Sequence, residues 1–208
     1  PWLHTAAEMR RLTKALSGIG GKLVFVASNP LDAIWEERPP EPVGAVAIHK
    51  VEHAGVLASE KIAKIVALVK EREAAGVLIT DPSSVAWIFN LRGADVPHTP
   101  HPLARAIITA EGKPDVFLDE GKTGIEVRAY LAQLAEQRPP EEFLPALDVL
   151  ARRGPVLLDA ELAPLALSLA VEQAGGKVIE AADPAKLARA CKNSTELEGS
   201  AKAHLQDG

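Results

Sequence analysis

Asp81-Pro82-Ser83-Ser84-Val85-Ala86-Trp87-Ile88-Phe89-Asn90-Leu91-Arg92-Gly93-Ala94-Asp95-Val96-Pro97-His98-Thr99-Pro100 places a helix start, two aromatic residues and a proline-stiffened polar loop in one run of chain. In its first half Asp81 can cap a helix, with Pro82 at the first helical position, where a missing N–H costs nothing. Val85, Ile88 and Phe89 then share one side, flanked by Trp87 and Asn90, and Gly93 is expected to end the element. None of these helix residues is a catalytic group, and capping with core packing accounts for them. The loop beyond is different: Asp95, His98 and His101 sit on backbone restricted by Pro97, Pro100 and Pro102. Asp-x-x-His-x-x-His matches no metal-ligand spacing with a known mechanism, so no metal is expected there. Two readings stay open: a solvated surface loop with incidental histidines, or a loop that meets a ligand or another subunit.

Outward from this stretch the chain alternates between two periods. Ile62, Ile65, Val66 and Val69 repeat at helical spacing up to Gly76, and residues 77–80 read as a short buried strand. Residues 104–110 and 115–119 flank Glu111-Gly112-Lys113-Pro114 and read as a hairpin, and Val127, Tyr130, Leu131 and Leu134 mark another helix. Further on come a short helix over 143–152, a strand over 155–159, a helix through Leu162, Leu165 and Leu169, and a strand over 177–181. Towards the N-terminus, Thr5-Ala6-Ala7-Glu8 is a capping box opening a helix through Met9, Leu12, Ala15 and Leu16, and residues 22–27 read as a strand. Pro39, Pro40 and Pro42 make a stiff connector and the best candidate boundary. Three helices run into glycine before a strand, at Gly20-Gly21, Gly76 and Gly175-Gly176. A phosphate loop has the opposite order, strand before helix, so these glycines read as helix stops. The expected fold is α/β, a mixed β-sheet sandwiched by helices.

Composition narrows the function classes. Apolar residues at 47% and charged residues at 25% exclude a disordered chain and a membrane protein, and the 208 residues suffice for one good core with flanking pieces. With aromatics at only 4%, that core must be built from Ala, Val, Leu and Ile, leaving Trp2, Trp35 and Trp87 as landmarks. A net charge of −5 argues against a nucleic-acid partner, which demands a basic face. Cys191 is the single cysteine, so no internal disulfide can form and a reducing, cytoplasmic setting is expected. It has no plausible local base and reads as structural. No apolar run approaches a membrane span, and no signal-type apolar region follows Arg10, Arg11 and Lys14. There is no H-E-x-x-H pair, G-x-S-x-G elbow or G-x-G-x-x-G turn. Asn193-Ser194-Thr195-Glu196 is a second capping box, opening a helix that the sequence ends inside, and a longer natural protein is expected.

The stretch at 81–96 resembles the middle domain of the three-domain Xaa-Pro aminopeptidases (aminopeptidase P), with their pattern D-P-x-S-x-A-W-x-F-N-x-R-G-x-D-V. The likeness extends to Pro1-Trp2-Leu3, to Gly20-Gly21-Lys22-Leu23-Val24, to Asn29-Pro30-Leu31-Asp32-Ala33-Ile34-Trp35 before the proline-rich connector, and to Lys192-Asn193-Ser194-Thr195-Glu196-Leu197-Glu198-Gly199. It implies three parts: residues 1–40 as the end of a first domain, 41–191 as a complete middle, creatinase-like domain, and 192–208 as the entry into a catalytic pita-bread domain. It implies a parent enzyme that removes an N-terminal residue linked to proline. That enzyme uses two divalent metals, usually manganese, held by two Asp, one His and two Glu beyond Gly208, and commonly works as a homodimer. This chain would then contain no catalytic residue, no cofactor and no metal ligand. Asp95 and His98 would line the substrate entrance, by position in the domain. Creatinase and prolidase carry a related domain. The alternative is a stand-alone, non-enzymatic binding or scaffolding module that shares the domain.

Overall fold

The computed structural model describes residues 1–26 and 28–207. Its centre is a six-stranded mixed sheet built from β2 (Gly76–Ile79), β4 (Arg105–Thr109), β5 (Asp115–Phe117), β6 (Glu136–Arg138), β7 (Val156–Leu158) and β8 (Val178–Glu180). The order across the sheet is β6-β5-β4-β2-β7-β8. Strands β2, β7 and β8 run parallel, β4 is antiparallel to both β2 and β5, and β6 is parallel to β5. Helices cover both faces, so β2 is buried at every position and reads as a continuous apolar run rather than an alternating one.

Alternation along the strands divides the core in two. Val77, Ile79, Ala106, Ile108, Val116 and Leu157 face α3 (Ala58–Glu71), α4 (Pro82–Ile88), α5 (Ile125–Leu134) and α8 (Pro184–Ala190). Leu78, Ile107, Phe117, Val156 and Leu158 face α6 (Phe143–Ala151) and α7 (Leu165–Gln173), where Phe117 and Phe143 meet edge to face at 5.1 Å. The helix α1 (Ala6–Ser17) is capped by Thr5, whose Oγ1 accepts from Glu8 N–H at 3.2 Å. It lies against α7, joined by Ala7 N–H to Ala160 O at 3.0 Å and Leu165 N–H to His4 O at 2.8 Å. A second, two-stranded antiparallel sheet pairs β1 (Val46–Ile48) with β3 (Leu91–Gly93). Among the described residues the remaining α-helices are the single turn α2 (Val51–Ala54) and α9 (Ser194–Asp207).

The α/β sandwich with a mixed sheet is the architecture expected from the sequence, but several local expectations change. Residues 22–26 form no strand, and Ala27 lies outside the described residues. Val24, Phe25 and Val26 are 72%, 52% and 55% exposed, and no described strand offers them a ladder. A β-prone segment without a partner has too little to hold it extended. The helix α3 ends before Gly76, because Glu73 takes the left-handed turn at φ 50. Gly76 instead begins β2, where a Cβ would press on Ile108 O and the Leu150 side chain at 3.1 Å. Nor does Gly93 end α4: Asn90 makes the left-handed turn at φ 50, a conformation its short amide tolerates, and Gly93 lies in β3. Gly93 is small because a Cβ there would fall 2.4 Å from Pro102 N.

Replacing Glu73 by glycine removes the left-handed strain and should stabilise the fold by about 0.5–1 kcal/mol, against the unfolded-chain entropy that glycine adds. Leu157→Ala opens a cavity in a fully buried strand and should cost about 2–5 kcal/mol. Urea melts of the two variants check both signs.

Candidate functional site

Asp81 begins the site at the carboxyl end of β2. Its Oδ1 accepts from Ser83 N–H at 2.9 Å, and its Oδ2 accepts from Ser83 Oγ at 2.6 Å and from Arg189 Nη2 at 3.1 Å. Burial pushes this carboxyl up, but the Ser83 bonds and the Arg189 charge outweigh it and hold it below the ordinary value. The helix that Asp81 caps is therefore tied to α8 by a charge-assisted bond, and its far end is held just as firmly. Lys61, buried on α3, donates to Asn90 Oδ1 at 2.7 Å and to Trp87 O at 2.9 Å, and its ammonium lies 4.0 Å from the Trp87 ring centre. Asn90 Nδ2 reaches Val56 O at 2.9 Å, fixing the left-handed turn into β3. Burial depresses the Lys61 ammonium to about 8.

The loop after β3 hangs on Asp95. Its side chain is fully buried: Oδ1 accepts from Gly44 N–H at 2.9 Å, and Oδ2 accepts from Leu103 N–H at 2.7 Å and from Lys122 Nζ at 3.0 Å. Asp95 thus points into the protein, where it fixes both ends of the loop. His98 is exposed and takes a left-handed φ of 60 at the tip, where Val96 and Thr99 bridge. His101 lies further along, half-buried. Among the described residues no group of three or more His, Cys, Asp or Glu could hold a metal ion.

His101 belongs to a groove of about 500 Å³ that is bounded by α2, α4, Pro100 and α9. Arg92, His49, Trp87 and Arg189 complete its walls. Burial, then the Arg92, His53 and Lys61 charges, lower His49 to about 4, so its imidazole is neutral near pH 7. Burial and Arg92 also lower His101. Asp95, His98 and His101 stand out in the sequence, whereas Lys122, Lys61 and His49 lie far from the loop in the chain and only the fold brings them to it; Arg92 belongs to the opening stretch itself, but no local pattern marks it.

Residues 37–196 match the family model of the creatinase/prolidase N-terminal domain. A probable Xaa-Pro aminopeptidase P of Coccidioides posadasii (strain C735) is 35% identical over 100% of this chain and 33% of its own length. One of Talaromyces marneffei is also 35% identical, with the same two shares. The chain spans about a third of the length of these curated relatives. Among solved structures, the X-prolyl aminopeptidase from Caenorhabditis elegans, described as a cytosolic enzyme with a di-nuclear active site, superposes with a TM-score of 0.85. That match covers 99% of this chain and 34% of the other at 23% identity, and shows the fold.

Lys122→Met strands the buried Asp95 carboxylate without its counter-charge and should cost about 3–5 kcal/mol in a urea melt, with Asp95→Asn added to it restoring part of the loss. For His49 the unfolded chain binds a proton between pH 6.5 and about 4 that the folded chain does not. Stability should therefore fall as pH drops through that window. His49→Gln should flatten the fall, which urea midpoints at pH 7, 5.5 and 4.5 would measure.

Proposed function

The chain belongs to the creatinase/prolidase N-terminal domain family, and from that membership we propose that it is the non-catalytic region of an Xaa-Pro aminopeptidase, a metallopeptidase that removes an N-terminal residue linked to proline. The observation that carries this reading is identity of 35% along 100% of the chain to relatives of which it makes only 33%. In this reading residues 1–40 close a first domain, 41–191 are the middle domain, and 192–208 enter the catalytic domain. The two divalent metals, manganese by family resemblance, are assigned by that same resemblance to the catalytic domain of the parent enzyme. No chemical step is assigned to this chain.

Its work is to shape substrate access and homodimer contacts in a cytoplasmic enzyme. Asp95 sets the loop from beneath, and the backbone bond from His101 N–H to Thr99 O, at 2.8 Å, stiffens it further. His98 is then presented outward at a fixed place, as a group that lines a substrate entrance must be. Asp95 is the positioning residue and His98 the contact.

The purified chain should not turn over an Xaa-Pro tripeptide with or without added manganese, and turnover by a clean sample sinks the reading. In the full-length protein, His98→Ala should lower kcat/KM several-fold on longer peptides while leaving the melting temperature unchanged, and Asp95→Asn should lower both. Normal kcat/KM for both variants ends the entrance role. Should the coding sequence stop at Gly208, the scaffolding module replaces the peptidase.

A further inference from the structure

The helix α9 buries no residue, yet it forms one wall of the groove, and polar groups from several elements converge where it begins. The link between α2 and α3 is gripped on either side of the left-handed Gly55: Asn90 Nδ2 donates to Val56 O at 2.9 Å, and Asn193 Nδ2 donates to Ala54 O at 2.9 Å. Asn90 is itself fixed by Lys61 Nζ at 2.7 Å, and its carbonyl accepts from His49 N–H at 2.7 Å. Asn193 in turn holds Glu196 through the reciprocal bonds of the capping box, at 3.0 and 2.9 Å. The half-buried Glu196 carboxylate is thereby set into the same groove as Arg92 and His49.

The other charges of the groove show why that placement matters. Arg92 is half-buried and donates to its own Leu91 O at 2.8 Å, and among the described residues it has no carboxylate within ion-pair distance. Arg189 is bound to Asp81 at 3.1 Å. Lys192 and Lys202 enter from the α9 side, exposed and without an ion pair among the described residues, so they add positive charge to the groove rather than relieve it. Of the acids, Glu52 lies 3.5 Å from His53 Nε2, and both Glu52 and Glu198 are exposed, where water and salt screen them. Glu196 is left as the half-buried carboxylate, and its charge favours the protonated forms of Arg92, Lys61 and His49 alike. We propose that Glu196 is an electrostatic latch: its charge, facing Arg92 across the groove, acts with the Asn193 grip on Ala54 to hold α9 at one angle to the domain. A carboxylate that only completed a helix cap could be replaced by glutamine at little cost, since either side chain returns the bond to Asn193 N–H. A latch is not indifferent to that change, because attraction between partly buried charges is screened far less than attraction between exposed ones. In the peptidase reading α9 leads into the catalytic domain, but the latch uses groups of this chain alone and stands or falls independently of that reading.

Nitroxide labels at Glu60→Cys on α3 and Ala201→Cys on α9, both exposed positions, in a Cys191→Ser form of the whole chain give the distribution of distances between α9 and the domain by pulsed electron spin resonance. One narrow population is expected, with Asn193→Ala, which frees Ala54 O, as the released limit. Glu196→Gln should raise the share of displaced distances about threefold. Arg92→Gln should do the same, and the double variant no more than either alone, because both remove one interaction. Glu196 also meets the positive end of the α9 dipole, a role in which Arg92→Gln would move nothing. That result overturns the latch, as do an unchanged distribution in Glu196→Gln, additive effects in the double variant, or an unsubstituted Glu196 chain as broad as Asn193→Ala. The His49 imidazole, titrated by NMR, reads the same charge with no change at Arg92: Glu196→Gln should lower its pKa from about 4. No change there overturns the proposal even if the Arg92 variant misfolds.

Discussion

The side chain of Asp95 has no solvent contact, and donors from three separate segments close on it: Gly44 N–H, Leu103 N–H and Lys122 Nζ. A carboxylate taken out of water is unfavourable by several kcal/mol unless its lone pairs are filled, and one counter-ion does not fill them. Here both oxygens are engaged, so the burial is tolerable only while all three segments stay in place. Gly44 makes this possible, because a Cβ there would lie 2.2 Å from Ala94 C. The exit of the proline connector, the tip loop and the turn after β5 are locked into one geometry by a single charge. Losing any partner leaves the carboxylate exposed to its full desolvation penalty, which couples the loop's position to global stability.

A second polar device, built on the same logic, sits at the carboxyl ends of the strands. Asp81 after β2, Asp119 after β5 and Asp159 after β7 each accept from the backbone N–H two residues on, as does Asp183 after β8. Asp159 also accepts from Asp183 N–H at 2.9 Å, so neighbouring turns are stitched together at this edge. Burial, with a smaller push from Asp81, raises the Asp183 carboxyl above its ordinary value, and the Ala185 bond offsets only part of that rise. These caps aim α4 and α8 so that Trp87, Arg189 and the loop meet at one groove. The chemistry of the groove is thus a consequence of turn chemistry several residues away.

Most of the longer helices were legible because each carries its signal locally, whereas the single turn α2 and the helix α8 went unread, although Asp183-Pro184 repeats the Asp81-Pro82 start. Thr5, Asp81 and Asn193 announce helix starts, and the 3.6-residue spacing of Ile62, Ile65 and Val69 announces a buried face. The buried strands β2 and β7 were legible as apolar runs. The strand β6, Glu136-Gln137-Arg138, was not, because it contains no apolar residue and is held at the sheet edge by backbone pairing to β5. Its charges suit an edge, where they discourage further pairing. Residues 22–26 misled in the opposite sense, having strand character without a partner. Of the site, Asp95 and His98 could be picked out from a proline-rich loop, but whether each pointed inward or outward could not. That is decided by Lys122, 27 residues away, and by no local pattern.

The same constraint holds at the start of α9. Asn193 Oδ1 accepts from Glu196 N–H at 3.0 Å, Glu196 Oε2 returns a bond to Asn193 N–H, and Asn193 Nδ2 donates to Ala54 O at 2.9 Å. Gly55, at φ 71, leaves the room this needs, since a Cβ would lie 2.5 Å from Asn193 Oδ1. The helix that follows, α9, buries no residue, so apolar packing does little to set its direction. Entry at Gly44 and exit at Asn193 are therefore both fixed by one polar side chain bonding backbone across a glycine. Hydrogen bonds are directional where apolar contacts are not, so a domain clamped in this way holds its flanking segments at defined angles even where it buries little of their surface.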